Sequence, residues 1–238
     1  LSALPAVRVV SLVPSVTETL LAWGIEPVGC TRFCEQPDLH HVGGTKDPDI
    51  SGIVALRPDL VVVDREENRR EDAEALLAAG LNVMDLHVVS VESALSETHR
   101  LAQGIGAAFE HEDKIGMVAP RVTAFVPIWR KPWMTINRYT YGASLLSSIG
   151  VAVSHADTAA VYPIVDTADM AEMGSTDVNV VLLPTEPYAF SQRHVAEVAS
   201  LTGIADVRSV DGRDLFWWGV RTRPAQSRLA AQLADLLG

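Results

Sequence analysis

Cysteine is almost missing from this chain: Cys30 and Cys34 are the two in 238 residues. A disulfide framework is excluded, and the Cys-x-x-x-Cys spacing is neither a Cys-x-x-Cys redox motif nor half of a complete zinc site. The pair reads either as two buried or free thiols or as one local disulfide. Aromatic residues are also scarce, at 6%. No uncharged apolar run approaches the roughly 20 residues that a membrane-crossing helix needs, since the longest, such as Leu60–Val63 and Val178–Pro184, have the length of strands. No membrane span is expected. Lys and Arg number 19 against 30 Asp and Glu, for a net charge of −11, and they form no basic run. Nucleic acid is an unsuitable partner for such a chain, because phosphate backbones are held by clustered cations. His-Glu-x-x-His, Gly-x-Ser-x-Gly and Gly-rich phosphate loops are absent as well, which leaves zinc hydrolysis, acyl transfer and nucleotide binding without a motif.

What is present is a globular composition, 48% hydrophobic, long enough for one large α/β domain or two smaller lobes. Arg8–Pro14 reads as a strand, and Ser15, with Glu18 three residues on, reads as the N-cap of a helix through Trp23 that Gly24 ends. Short strands are expected at Pro27–Cys30, Leu60–Val63 and Leu81–Met84. Helices are expected at Asp49–Leu56 and at Asn68–Ala79, the second with Ala73, Leu76 and Leu77 as its apolar side. The same alternation returns later, with strands at Val122–Val126 and Val178–Leu183 and helices at Tyr141–Ile149 and His194–Leu201, so two lobes with mostly parallel sheets fit best. Between them Val91–Ala119 is mainly helical in pattern, with Ala94, Leu95, Leu101, Ile105, Ala108 and Ile115 as its apolar side. Gly104 and Gly106 predict a break or kink within it. The expected division is residues 1–90, a connecting helix 91–119, and residues 120–238.

Three places carry candidate chemistry. The Pro14-Ser15 turn puts backbone N–H groups and a hydroxyl at a sheet's carboxyl edge, where an oxygen-rich or anionic ligand fits; a plain helix cap explains Ser15 equally well. Asp64-Arg-Glu-Glu-Asn68 follows a buried strand, so Glu66 and Glu67 are either metal or general-base candidates or members of a solvated loop. Four of the five Trp lie in loop-like stretches beside Arg: Trp129 and Trp133, then Trp217 and Trp218 ahead of Arg221, with Tyr139 and Tyr188 in similar surroundings. Such aromatics line a ligand cleft or fill a core, and with guanidinium groups they suit a large conjugated or carboxylate-bearing ligand. Arg130, Lys131, Arg138 and Arg221 would make that region locally positive. His40-His41 is the one His pair, and adjacent strand residues face opposite ways, so it chelates a metal poorly; no metal ligands are assigned.

Several segments together resemble one family. Arg8-Val-Val-Ser-Leu-Val-Pro-Ser15, Thr17-Glu18, Gly29-x-Thr31-x-Phe33-Cys34, Gly43-Gly44-Thr45-Lys46 and Ala55-Leu-x-Pro-Asp-Leu60 look like the helical-backbone (class III) substrate-binding proteins of ABC importers, which take up cobalamin, haem and iron–siderophores. Glu66-Glu-Asn68, Val126-Pro-Ile-Trp-Arg130, Pro132-Trp-Met134 and Leu183-Pro-x-Glu-Pro-Tyr188 resemble its helical backbone metal receptor branch. The resemblance spans nearly the whole chain. It implies two Rossmann-like lobes joined by one backbone helix, with a corrinoid, haem or ferric siderophore held in the cleft between them, no required cofactor, and no enzymatic activity. By position, Pro14, Ser15 and the Asp64–Asn68 loop, with Glu66 and Glu67, would line the cleft from the first lobe. Trp129, Trp133, Tyr139, Tyr188, Trp217 and Arg221 would line it from the second. Asp64 stands where the family's periplasmic cobalamin receptor carries a Trp against the corrin, a departure that counts against cobalamin itself. Glu71 or Asp72 would dock on permease arginines, with Glu186 or Glu197 as the counterpart on the second lobe.

The expected protein is a monomer with a small-molecule ligand and an ABC permease as partners. The chain opens at Leu1 without a basic-then-apolar leader, so an extracytoplasmic location is expected if a leader was removed and a cytoplasmic one if the chain is natively leaderless. The alternatives are an intracellular carrier or sensor of the same fold, or a hydrolase acting through Glu66, Glu67 and the His pair.

Overall fold

The computed structural model describes residues 7–108 and 114–238, which divide into two compact units. Unit 1 takes the chain through Val88, Ser93–Glu112 and the short return Trp218–Val220; unit 2 takes Val89–Glu92, Asp113–Trp217 and Arg221–Gly238.

Unit 1 is a four-stranded parallel sheet with helical crossovers. Strands β1 (Val9–Ser11), β2 (Gly29–Cys30), β5 (Leu60–Asp64) and β6 (Val83–Leu86) pair in the order β2-β1-β5-β6. Parallel sheets are covered on both faces, and β5 is buried at all five residues. Helix α1 (Pro14–Ala22) follows β1 directly. Its start departs from the expectation: Ser15 is the second helical residue, and the cap is Val13, extended at φ −128° and making no side-chain cap bond. Proline explains the shift, since its ring presets φ for the first helical position and pushes the residue before it out of the helical region. The hairpin β3 (Gly43–Gly44) and β4 (Asp47–Pro48) stands apart as its own antiparallel pair. A side chain at Gly44 would strike the Asp47 carboxylate and the Arg32 guanidinium, which pair at 3.0 Å across it. Helix α2 (Ile50–Ala55) is capped by Asp49, whose carboxylate accepts from Gly52 N at 3.0 Å.

Helix α3 (Arg70–Ala78) buries Leu76 fully, while Leu77, expected beside it, is 57% exposed. Neighbouring helical positions lie about 100° apart, so both leucines cannot face one sheet. Leu76 joins Val10, Leu12, Val42, Ile53, Val61 and Val63 in the core. Helix α4 (Val91–Ile105) is shorter than the expected span to Ala119: Gly106 takes φ +68° and ends it, and residues 114–120 are not helical. Residues 109–113 of the expected helix lie outside the described residues. Ala94, Leu101 and Ile105 are buried as expected, whereas Ala108 is exposed because the helix has already stopped.

Unit 2 repeats the architecture. Strands β7 (Val122–Phe125), β9 (Val151–Val153), β11 (Val178–Pro184) and β12 (Val207–Val210) form a parallel sheet in the order β12-β11-β7-β9. An antiparallel pair, β8 (Trp133–Met134) and β10 (Ile164–Val165), lies beside it. The helices are α5 (Tyr141–Ser147), α6 (Thr167–Glu172), α7 (Gln192–Thr202), α8 (Gly212–Phe216), α9 (Thr222–Gln232) and α10 (Ala234–Leu237). Polar residues cap several of them: Thr140 accepts from Ala143 N, Asp166 from Ala168 N and Asp169 N, and Asp211 from Arg213 N. Before α7, Ser191 and His194 cap each other's backbone reciprocally. The core gathers Phe125, Met170, Val181, Leu183, Phe190 and Val198, and it includes Trp133. Among the described residues no helix is long and apolar enough to cross a membrane.

The two leucines of α3 make a matched test. Leu76→Ala should cost roughly 2.5–5 kcal/mol by leaving a cavity in a packed core. Leu77→Ala, an exposed change, should stay within about 0.5 kcal/mol. Urea unfolding of both variants beside the parent chain reads the difference, and equal costs would contradict the assigned core.

Candidate functional site

In unit 1 the carboxyl edge of the sheet is tied together by Asn68. Its Oδ1 accepts from Asp64 N at 2.9 Å, and its Nδ2 donates to Leu12 O at 3.1 Å and to Thr45 O at 2.8 Å. One side chain, 9% exposed, thus joins the loop after β5, the β1–α1 turn and the β3–β4 hairpin. Ser15 sits in that turn, 4% exposed. Pro14 beside it is buried.

Asp64 does not project outward as expected. It is 1% exposed; Oδ1 accepts from Glu66 N at 2.8 Å and shapes the turn, while Oδ2 has no hydrogen-bond partner among the described residues. Burial, reinforced by the nearby Glu67 and Glu66 charges, pushes this carboxyl up to about 7. Arg65 and Glu66 are the loop's exposed members, Glu66 with Oε1 3.8 Å from His87 Nε2. Glu67 is half-buried, and burial raises its pKa against the opposing pull of Lys46. A cavity of about 550 Å³ lies alongside, lined among others by Asp64, Arg65, Asn68, Arg69, Arg70 and Asp85. Its three guanidiniums are already engaged, Arg65 by Asp85, Arg69 by Asp72 and Arg70 by Glu74. Of the expected docking residues on α3, Glu71 is exposed and Asp72 is held by Arg69 at 2.9 Å.

In unit 2 the aromatic candidates gather around the turn that follows β11. Tyr188 meets Trp129 edge-on with ring centres 5.7 Å apart, and it also packs against Phe190 and His194. Trp129 stays 44% exposed. Glu186, two residues before Tyr188, accepts from Trp217 Nε1 at 3.1 Å, and the Arg221 guanidinium lies 5.7 Å from the Trp217 ring centre. Trp129, Tyr188, Trp217 and Arg221 therefore share one edge, that of β7, β11 and β12. Tyr139 is 62% exposed on a separate loop that Asn137 holds by accepting from Tyr139 N. Trp133 is corrected: it is 9% exposed and stacked on Phe190 at 6.0 Å, a core side chain placed there by β8. Of the cations expected to make the region positive, Arg130 pairs with Glu197, Arg138 with Asp157, and Arg221 with Asp214, a carboxylate that Arg228 also engages, while Lys131 is exposed.

Sequence reasoning missed Asn68, Asn137 and Glu186 as organisers of these edges. Asn68 and Asn137 stand at strand or loop ends beside candidate residues, which was their available signal. No group of three or more His, Cys, Asp or Glu among the described residues is arranged to hold a metal ion.

Two parallel α/β units whose loops converge on sheet carboxyl edges are the build of a ligand-binding protein. The family model described as "Periplasmic binding protein" matches residues 9–127, and the chain belongs to that family. Among curated relatives, the vitamin B12-binding protein of Salmonella paratyphi A is 35% identical over 101 residues, 41% of this chain and 38% of that protein. Its counterpart in Yersinia pestis is 30% identical over 109 residues, 43% of this chain and 39% of that protein. The match thus covers less than half of those relatives' length. Among solved structures, the periplasmic vitamin B12 binding protein BtuF of Vibrio cholerae aligns over 98% of both chains with TM-score 0.78 and 19% identity. The periplasmic heme binding protein HutB of Vibrio cholerae aligns over 96% of this chain and 99% of that one, with TM-score 0.73 and 18% identity. At such identities the likeness is one of fold, and the fold is the two-unit α/β architecture that the sequence pattern predicts.

The buried Asp64 yields a pH test. Its folded-state pKa lies above the unfolded value, so its contribution to stability is full below the unfolded pKa near 4 and is lost as pH rises toward about 7. Asp64→Asn removes the charge. The variant should unfold at a higher temperature than the parent at pH 8, with the gap closing by pH 4.5. A gap independent of pH would show that the carboxyl is ionised throughout.

Proposed function

We propose that this chain is the substrate-binding component of an ABC importer that captures a metal-containing or metal-chelating small molecule: a corrinoid, haem or ferric siderophore. The observation that carries the reading is the group of Trp129, Tyr188, Trp217 and Arg221 at the carboxyl edge of the second sheet. Flat rings with one edge free suit a planar conjugated ligand through stacking and dispersion. Arg221, held by Asp214 at 2.7 Å, presents its guanidinium in a set orientation to ligand carboxylates. Ser15 and Glu66 are the polar groups that unit 1 offers, with Pro14, Asp64 and Glu67 behind them as supports. Trp133 supports the edge from the core, and Tyr139 is an outlying contact.

In this reading the protein binds and hands on its ligand without turning it over and needs no resident cofactor. It works as a monomer outside the cytoplasm and docks on its permease through Glu71 and Asp72 of α3. The family and the vitamin B12- and heme-binding relatives support it.

Purified protein should be screened by thermal shift and absorbance against cobalamin, cobinamide, haem and ferric siderophores. A ligand at 100 times its Kd adds about 2.7 kcal/mol of stability, so one class should raise Tm clearly, and Trp129→Ala and Trp217→Ala should each remove most of that rise. Silence across the panel, or a shift that both variants keep, would sink the assignment. For docking, Glu71→Lys should leave ligand affinity unchanged and lower ligand-stimulated ATPase activity of the cognate permease at least several-fold; unchanged stimulation would remove Glu71 from the contact.

A further inference from the structure

Trp217 belongs to the aromatic edge of unit 2, and its ring is held from two directions. The residue follows α8 directly, with Trp217 N donating to Arg213 O at 2.9 Å as the helix ends and with an extended backbone at φ −89°. Its indole Nε1 donates to Glu186 Oε2 at 3.1 Å, a part-buried bond between side chains 31 residues apart. Glu186 stands on the turn after β11, and that turn is fastened to the start of α8. Gly212 N donates to Thr185 Oγ1 at 2.9 Å, and Thr185 N donates to Val210 O at 3.1 Å. A Cβ at Gly212 would strike the Glu186 backbone, so this approach of two chain segments requires glycine. Over the ring, the Arg221 guanidinium lies 5.7 Å from its centre and is itself held by Asp214 of α8 at 2.7 Å. One carboxylate thus holds the indole at its edge, and a second fixes the guanidinium at its face.

We propose that Glu186 is a positioning residue for ligand binding: it fixes the plane of Trp217 and takes up the indole N–H, so that a ligand at this edge meets the flat of the ring. A hydrogen bond to an ionised acceptor is roughly twice as strong as one between neutral groups. With Nε1 held and the ring joined to the chain through Cβ, rotation about the side-chain bonds is restricted. A ring restrained before the ligand arrives loses less freedom on binding, which raises affinity without adding a contact. Indole nitrogen is a donor only, and Glu186 uses that donor, so stacking and dispersion across the face are what Trp217 offers a ligand. The lock is a property of the chain alone. Its service to a ligand rests on the proposed importer function.

The lock and its service to a ligand are read separately. In the isotope-labelled full chain, the NMR signal of the Trp217 indole N–H is identified by its loss in Trp217→Phe. Glu186→Ala should shift that signal and speed its exchange with heavy water about tenfold while the other indole signals hold. Glu186→Gln, whose amide oxygen still accepts, should keep the exchange within about threefold of the parent. Haem and cobinamide are the binding probes, followed by absorbance. Glu186→Ala should raise the Kd of the probe that the parent binds about tenfold, Glu186→Gln should restore most of the affinity, and in a Trp217→Ala background Glu186→Ala should change nothing further. Equal indole exchange in the parent and Glu186→Ala would refute the lock. Binding that Glu186→Ala leaves intact, or a loss that persists in the Trp217→Ala background, would overturn the positioning role alone. A parent that binds neither probe would count against the importer function and take the ligand role with it, the lock still being decided by the indole.

Discussion

The carboxyl edge of the first unit's sheet depends on a single buried amide. Three loops arrive at the carboxyl ends of β1, β5 and the β3–β4 hairpin, and each brings a backbone group that its own element leaves unpaired. Asn68 satisfies all three, because a carboxamide accepts at one atom and donates twice at the other. Aspartate at this position could not donate to Leu12 O and Thr45 O, and an apolar residue would strand all three groups at about 1–3 kcal/mol each. The position of the β1–α1 turn, and with it Ser15, follows from that amide. The inward turn of Asp64 belongs to the same arrangement: Asn68 holds the Asp64 backbone, and the Asp64 carboxyl folds back onto Glu66 N.

The second unit reaches its organisation through aromatic packing and charge pairing. Tyr188 joins an exposed ring, Trp129, to the buried Phe190, so the outer aromatic is anchored through the core. Beside it Asp214 accepts from Arg221 and Arg228 at once. Burial alone would raise this carboxyl, but the two guanidiniums outweigh it and hold it below the usual carboxylate range. Arg221 is thereby fixed near Trp217. A chain carrying −11 has carboxylates to spare for its guanidiniums, and Arg130, Arg138 and Arg221 each find one.

Much of this was legible beforehand wherever local sterics decide. Leu60-Val-Val-Val63 could only be a strand buried on both faces, and Gly106 had to threaten a helix that it does in fact end. The resemblance to helical-backbone binding proteins was carried by short segments scattered over the chain, and the family match covers residues 9–127, where the segments up to Glu66-Glu-Asn68 lie. Legibility stopped where a residue's role depends on partners distant in sequence. Trp133 shares its loop setting with Trp129, and only the strand pairing of β8 with β10 and the ring of Phe190 separate core from surface. Ser15 carried a capping pattern, but Pro14 takes the first helical position and moves the cap two residues earlier, to Val13.

The alternation of strands and helices, the parallel sheets, the helix stops and the absence of a membrane span were therefore determined by sequence alone. These features rest on backbone conformation and hydrophobic period, which act over a few residues. Tertiary structure decided which aromatic rings stay exposed, which arginines are paired, that Asp64 lies inside, and that Cys34 lies against the hydroxyls of Thr17 and Thr31. Each of those depends on side chains brought together from separate elements, where burial and hydrogen bonding set the outcome and no local pattern records it.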